Sequence, residues 1–380
     1  MLNELLTYKH LIEENAHLTP QAFVLKFKPS IGQVAIQLAN QLFGRQQMGK
    51  KLPTWVGNSQ VLFPPKINLE QTSSEQTAKH KFNPFSGELA VDLTAGFGVD
   101  SYYLSKRFKR VFACEKNAEL SILAQHNAKQ MGAENLSFLN EDGIEWLKTF
   151  NEPIDLIYLD PSRRTSKGKV VRLEDYEPNL LECHDLLFSK AEKVLVKASP
   201  LLDLKLAIDQ LKQVAEIRVV SVRNECKELL FLLTKNAAKS PQIIAQNLES
   251  DEPDFTFNFE QETAVAPSFS EAQEYLYLPN SSILKAGAFN VVAQEFGLKK
   301  LHANTHLYTS NSQLGSFPGR IFKVVEAKFS KAKVVVRNYK NDEKTIRKKL
   351  KLAQGNGNEY LLAFTDIEKP KMAFAECLNQ

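Results

Sequence analysis

The sequence predicts an α/β protein built around a mostly parallel seven-stranded sheet whose last strand runs antiparallel. Two observations carry this. From residue 88 onward, short apolar runs alternate with stretches of helical period. The final two runs, IRVVSV and ELLFLLT, then lie too close together for a helix to separate them. Alternation of strands and helices implies parallel strands covered on both faces, and a closing pair without a crossover must be a hairpin. The flanks differ in character: a helical region before residue 68 and a basic α+β pattern after residue 275.

Leu5, Leu6, Leu11 and Ile12 give helical spacing, repeated by Val34, Ala35, Leu38 and Leu42. The Lys51–Trp55 and Phe63-Pro64-Pro65 stretches break this region into pieces. Thr72 with Glu75, or Ser73 with Gln76, has capping-box spacing and predicts a helix over 73–82. ELAVDLTA, RVFACE, LSFLNED, IDLIYLD and KVLVKAS read as five strands, separated by helices near 100–107, 117–131, 143–149 and 177–190. A helix over 202–213 precedes the closing hairpin. Residues 240–275 hold many acids and no Lys or Arg, and read as a linker with some strand content. Beyond it the pattern predicts one helix over 281–296, strands at FKVVEAK, AKVVVRNY and EYLLAFT, and a basic helix over 342–352.

With 380 residues, 43% of them hydrophobic and 24% charged, the chain suits a globular protein of two or three domains. Cys114, Cys183, Cys226 and Cys377 are far apart with no CxxC pair, which argues against a zinc knuckle or a disulfide framework. The N-terminus has no apolar core or cleavage site of a signal peptide, and no apolar run approaches 18 residues, so the expected compartment is the cytoplasm without a membrane partner. His302 and His306 are spaced i, i+4 but lack an acidic or cysteine partner nearby, so no metal site is expected.

Four constellations fall at predicted strand ends. In Val91-Asp92-Leu93-Thr94-Ala95-Gly96-Phe97-Gly98-Val99-Asp100 a strand ends, the backbone turns at two glycines and a helix begins. A phosphate would favour basic residues at such a turn; here Asp92 and Asp100 flank it, which suits a cationic ligand better. Glu115, 19 residues after Gly96 and followed by Lys116, can accept both ribose hydroxyls of a nucleoside. Asp142, in Asn140-Glu141-Asp142-Gly143, can accept from an adenine amino group. In Asp155-Leu156-Ile157-Tyr158-Leu159-Asp160-Pro161-Ser162-Arg163-Arg164 the proline fixes the direction of Asp160 and the carbonyls after it. A carboxylate there can accept from an exocyclic amine and align its lone pair for in-line attack, and alignment alone can supply much of a rate enhancement.

DLTAGFGVDS, FACEKN and YLDPSRR together resemble the motif series of class I S-adenosylmethionine-dependent methyltransferases. They are especially similar to bacterial RNA methyltransferases such as the small-subunit rRNA guanine-N2 enzymes. The resemblance spans about 70–240 and implies a Rossmann-like core with S-adenosylmethionine as cofactor. It implies that Asp92, Thr94, Ala95, Gly96, Gly98 and Asp100 frame the methionine end, that Glu115 and Lys116 lie at the ribose, and that Asp142 and Gly143 lie near the adenine. Asp160, Pro161, Ser162 and Arg163 fall at the acceptor site. Thr94 stands where the common motif has its first glycine. Ser162 and Arg163 stand where amino-methylating enzymes often carry a proline and a base-stacking aromatic; Arg163 could stack through its guanidinium or bind a phosphate.

The whole chain also resembles a bacterial family in which this core is followed by a ferredoxin-like piece and a THUMP-like domain, an RNA-binding module. LEQTSSEQTAKHK, SSILKAGAF, FPGRIFKVVE and VVVRNYKNDEKTIRKKLKL carry that resemblance. The implied organisation is a helical region over 1–68, the methyltransferase domain over 69–240, an acidic linker over 241–274, a ferredoxin-like segment over 275–317 and a THUMP-like domain over 318–380.

Lys328, Lys331, Lys333, Arg337, Lys340, Lys344, Arg347, Lys348, Lys349 and Lys351 concentrate positive charge near the C-terminus, the electrostatic footprint of a phosphate-binding surface. The expected function is therefore methyl transfer to a base nitrogen in rRNA or tRNA, with Arg163, Arg164, Lys167 and Lys169 meeting phosphate. Two rival classes are a methyltransferase for a protein or small molecule, and a non-catalytic cofactor-binding RNA module. Carbon-5 methylation of a pyrimidine would need a cysteine nucleophile at the acceptor site; Cys183 falls in a predicted helix and Cys226 in the hairpin.

Overall fold

The computed structural model describes residues 2–163, 172–367 and 369–379, with the side chain of Arg163 outside the description. The chain divides into two compact units, Met1–Lys197 with Leu232–Lys235, and Ala198–Phe231 with Asn236–Gln380.

The first unit holds strands β1 (Gly87–Asp92), β2 (Phe108–Cys114), β3 (Leu136–Leu139), β4 (Leu156–Leu159) and β5 (Lys193–Ala198). They lie in the order β5-β4-β1-β2-β3. Neighbours are parallel throughout: Asp92 pairs with Ala113 and Tyr158, Cys114 with Leu139, and Leu159 with Val196. All five carboxyl ends therefore open on one rim, with β1 and β4 side by side at its centre. Helices Val99–Ser105, Ala118–Gln130, Gly143–Thr149 and Leu180–Lys190 follow the first four strands in turn. Three carry side-chain caps at their N-termini, from Asn117, Asp142 and Asn179.

Seven helices precede the sheet among the described residues, and Leu5, Ile12, Phe23, Leu38, Leu42 and Trp55 join a buried cluster that reaches Phe97, Val99 and Leu123 of the core. The extended Val61–Phe63 segment crosses this cluster buried and outside any strand. Its backbone polar groups cannot go unpaired, and two side-chain amides take the place of neighbouring strands. Gln41 accepts from the Phe63 amide and donates to its carbonyl, both at 2.6 Å. Asn127 does the same for Leu62 at 2.9 and 2.8 Å. Arg45 adds hydrogen bonds to the carbonyls of Ser59 and Val61. The helix expected over 73–82 runs Glu75–Phe82, and its cap is Ser74, which accepts from the Thr77 amide.

In the second unit, β6 (Val214–Val222) and β7 (Glu225–Thr234) form the expected hairpin, turning through Arg223 and Asn224, both at positive φ. Further strands follow the hairpin within this unit. The acidic segment supplies β8 (Gln242–Leu248), parallel to β6, and β9 (Phe255–Asn258), antiparallel to β8. Ile243, Ala245, Phe255 and Phe257 are buried, so strand alternation decides the structure although the segment's composition reads as a linker.

A separate sheet follows, with β10 (Tyr275–Pro279), β11 (Tyr308–Ser310), β12 (Gly319–Val325), β13 (Lys331–Arg337), β14 (Glu359–Asp366) and β15 (Lys369–Cys377). Its order is β11-β10-β12-β15-β14-β13, with two-residue strands at each edge. β10 and β12 pair antiparallel, so the strands on either side of residue 318 share one sheet. The helix expected over 281–296 is two, Ser281–Ala286 and Val291–Glu295, because Gly287 ends the first in the left-handed conformation at φ +76°. Among the described residues no helix is long and apolar enough to cross a membrane.

Replacing Asn127 with Leu removes a buried donor and acceptor together and strands both backbone groups of Leu62. The expected loss is about 2–4 kcal/mol of unfolding free energy, read from urea denaturation of the purified variant; a loss within experimental error would contradict the clamp.

Candidate functional site

Three of the four sequence constellations meet at the rim through backbone contacts. Gly96 takes φ +55° and Gly98 φ +86°, so the chain turns back after β1. A Cβ on Gly96 would meet nothing within 4 Å, whereas one on Gly98 would lie 2.6 Å from Phe138. Gly98 is thus held by packing, and Gly96 borders open space where a ligand can reach the backbone. The carboxylate of Glu115 accepts from the Gly96 amide at 2.9 Å and from the Asn117 amide at 2.7 Å. A carboxylate offers about four lone-pair sites, so each oxygen retains capacity for a hydroxyl.

Thr94 explains its own departure from glycine. Its hydroxyl accepts from the Asp160 amide at 2.6 Å and lies 3.5 Å from Asp92 Oδ1, to which it donates. The side chain thereby ties the end of β4 to the end of β1. Asp92 is 1% exposed; Oδ1 accepts from the Thr94 amide and Oδ2 from Ser101. Burial pushes its carboxyl up to about 7, against the hydrogen bonds from Ser101 and Thr94.

Asp100 is not at the turn surface. Burial works to raise its carboxyl, but Lys81 and then Lys197 outweigh that and hold it at about 2. Lys81, with no side-chain exposure, sits 2.8 Å from Asp100 Oδ2. Tyr158 donates to the same oxygen at 2.7 Å and Ser73 at 2.9 Å. Sequence reasoning missed Ser73, Lys81, Tyr158 and Lys197. Lys197 reaches Asp160 Oδ2 at 2.5 Å and Ser73 Oγ at 3.2 Å. The Asp160 side chain keeps 33% exposure while that of Lys197 keeps 14%, so the carboxylate is accessible and its counterion mostly is not.

Asp142 caps the helix Gly143–Thr149 through the Ile144 and Glu145 amides and pairs with Lys116 at 2.8 Å. Gly143 is buried, and a Cβ there would fall 2.3 Å from the Leu93 carbonyl; the glycine lets this helix start against the end of β1. Ala95 is buried and its amide bonds the Cys114 carbonyl. Pro161 is buried, Ser162 is exposed, and Ser162–Arg163 pairs with Tyr176–Glu177. Arg164, Lys167 and Lys169 lie outside the described residues. Among the described residues no three His, Cys, Asp or Glu side chains converge as metal ligands.

Residues 275–318 match a family described as a ferredoxin-like domain. A crystal structure from Porphyromonas gingivalis W83, of a protein assigned as a methyltransferase, is 30% identical and superposes with a TM-score of 0.89 over 99% of both chains. An uncharacterised S-adenosylmethionine-dependent methyltransferase of Mycobacterium tuberculosis is 23% identical over 80% of this chain and 85% of its own length. An uncharacterised RNA methyltransferase of Fusobacterium nucleatum is 27% identical over 37% of this chain and 32% of its own. The chain belongs to the S-adenosylmethionine-dependent methyltransferases, with the Porphyromonas gingivalis protein as a full-length relative.

Asp92 and Asp100 make opposite demands on pH. With its folded value raised from 3.8 to about 7, Asp92 contributes stability that is full below pH 4 and lost as pH rises to 7, on the order of 4 kcal/mol. Asp100, held at about 2, contributes stability that is lost only as pH falls below 4. An uncharged Asp92→Asn variant still accepts from the Thr94 amide through its oxygen, and its nitrogen donates to the Ser101 hydroxyl in place of accepting from it. Its stability relative to the unsubstituted protein is expected to climb between pH 4 and 7 and to level off above that. Urea midpoints at pH 4.5, 6 and 7.5 check this, and a difference independent of pH would refute it.

Proposed function

We propose that the protein methylates a base nitrogen, an exocyclic amine, in rRNA or tRNA, and acts in the cytoplasm. The observation that carries this reading is Asp160, held at the end of β4 by Thr94 through its backbone and by Lys197 through its carboxylate. It leaves the sheet at the same rim as the turn that Glu115 braces. The relative from Fusobacterium nucleatum, an RNA methyltransferase, supports RNA as the acceptor.

The residues present fit S-adenosylmethionine: open space at Gly96 and unused lone pairs on Glu115, which braces the turn. Bound there, the cofactor would supply an electrophilic methyl group on a sulfonium. Glu115 would hold the ribose hydroxyls, with Lys116 beside it, the Thr94–Gly98 backbone the methionine end, and Asp142 the adenine side. Asp160 and the Pro161 carbonyl would accept from the acceptor amine and aim its lone pair. Asp160, ion-paired with Lys197, serves as a hydrogen-bond acceptor for a neutral amine. Carbon-5 methylation fits less well, since burial pushes the thiols of Cys114, Cys183, Cys226 and Cys377 up and away from the nucleophilic thiolate.

We extend the reading to the C-terminal region as a THUMP-like RNA-holding domain. Lys328, Lys331, Lys340, Lys344, Lys348, Lys349 and Lys351 are exposed there. Arg347 is instead tied back to Glu343 and to the carbonyls of Ala332 and Ala353, and Arg337 is half-buried. The exposed lysines, rather than all ten basic residues, form the phosphate surface.

Asp160→Ala is expected to lower methyl transfer by at least about 100-fold while cofactor affinity by calorimetry stays within about threefold. Mass spectrometry of nucleosides from total RNA, with and without the gene, should reveal one methylated base that the intact gene restores and the Asp160→Ala gene does not. Identical nucleoside profiles would sink the RNA reading. Neutralising Lys344, Lys348 and Lys349 together should weaken RNA binding and flatten its salt dependence; unchanged affinity at low salt would remove the C-terminal role.

A further inference from the structure

Lys197 lies outside every motif of the sequence, yet it is the described side chain bound to the Asp160 carboxylate. Its ammonium donates to Asp160 Oδ2 at 2.5 Å and to Ser73 Oγ at 3.2 Å. Ser73 is itself immobilised: it donates to Asp100 Oδ2 at 2.9 Å and accepts from Lys81 at 3.3 Å. Charges therefore alternate from the rim inward, Asp160, Lys197, Asp100, Lys81, with the Ser73 hydroxyl between the two lysines. Tyr158, two residues before Asp160 on β4, closes the inner end by contacting both Asp100 and Lys81.

We propose that Lys197 is a positioning residue for methyl transfer, acting through Asp160, and that Ser73 anchors it. This rests on the reading that Asp160 faces the acceptor. The ion pair occupies Oδ2 and leaves Oδ1, which has no partner among the described residues, to accept from the substrate amine. An exposed lysine would hold a carboxylate loosely and add little. A mostly buried one clamped by a second contact fixes which oxygen is presented and in what direction, and small misalignments of a reacting pair are costly. Ser73 and Lys81 come from the segment preceding the sheet, so that segment sets the geometry of the acceptor site without touching substrate.

A double-mutant cycle on the full-length protein tests this, with labelled S-adenosylmethionine and total RNA from a strain lacking the gene as acceptor. Lys197→Met is expected to lower kcat about 30- to 100-fold, with cofactor affinity by calorimetry within about threefold. Lys197→Arg, which keeps the charge, should recover most of that loss. In an Asp160→Asn background Lys197→Met should cost no more than about twofold further, because the two residues act as one unit. Additive losses, or normal kcat in Lys197→Met, overturn the assignment while leaving Asp160 in place. Normal turnover in Asp160→Asn alone overturns the underlying reading and this one with it. Should Lys197→Met fail to bind cofactor, Ser73→Ala carries the same cycle: about a three- to tenfold loss of kcat alone and none in the Asp160→Asn background, with additivity again the overturning result.

Discussion

A buried ion pair, Lys81 with Asp100 at 2.8 Å, is the constraint on which the rim depends. Neither charge could stay inside without the other, because removing one partner leaves an uncompensated ion at a cost of roughly 3–5 kcal/mol. The pair joins the helix Glu75–Phe82, ahead of the sheet, to the helix Val99–Ser105 that follows the glycine turn. Tyr158 and Ser73 supply the remaining hydrogen bonds, so β4 and the pre-sheet segment lock to the same point. Once these elements are fixed, Thr94 can join the ends of β1 and β4, and Glu115 can brace the turn between them.

The environment assigns different work to carboxylates that look alike in the sequence. Asp92 and Asp100 flank one turn at a spacing of eight, yet the first is driven toward protonation by burial while the second is held ionised by lysines. Neither presents a free carboxylate to solvent, whereas Asp160 and Glu115 do so in part. The accessible carboxylates at the rim are thus those of Asp160 and Glu115, and the other two acids build the turn that brings them together. Asp142 belongs with the builders, since it caps a helix and pairs with Lys116.

Much of this was legible in the sequence. The strands of the core, the helices between them and the hairpin follow from periodicity, and the strand-end positions of Gly96, Glu115 and Asp160 follow from that order. The parts that were not legible share a cause. Lys81 stands among other basic residues in EQTAKHKF and reads as a solvated face, yet it is wholly buried. Lys197 ends KVLVKAS as an ordinary strand-exit lysine; only the neighbouring strand's Asp160 gives it a role. Thr94 looks like a lapse from a glycine motif until its hydroxyl is seen spanning two strands. β8 and β9 were legible only as some strand content in a linker, because acidic composition outweighed the alternation carried by Ile243, Ala245, Phe255 and Phe257.

The amide clamps of Gln41 and Asn127 have a consequence for how the protein could be taken apart. Val61–Phe63 is sandwiched between an N-terminal helix and a core helix by side chains acting as substitute strands. Cutting the chain just before the sheet, as its motifs invite, would expose the apolar flank of the helix Ala118–Gln130 and idle the Asn127 amide. The helical region is in this sense the missing wall of the catalytic fold rather than an appendage, and a minimal soluble fragment of the enzyme has to begin well upstream of its first recognisable motif.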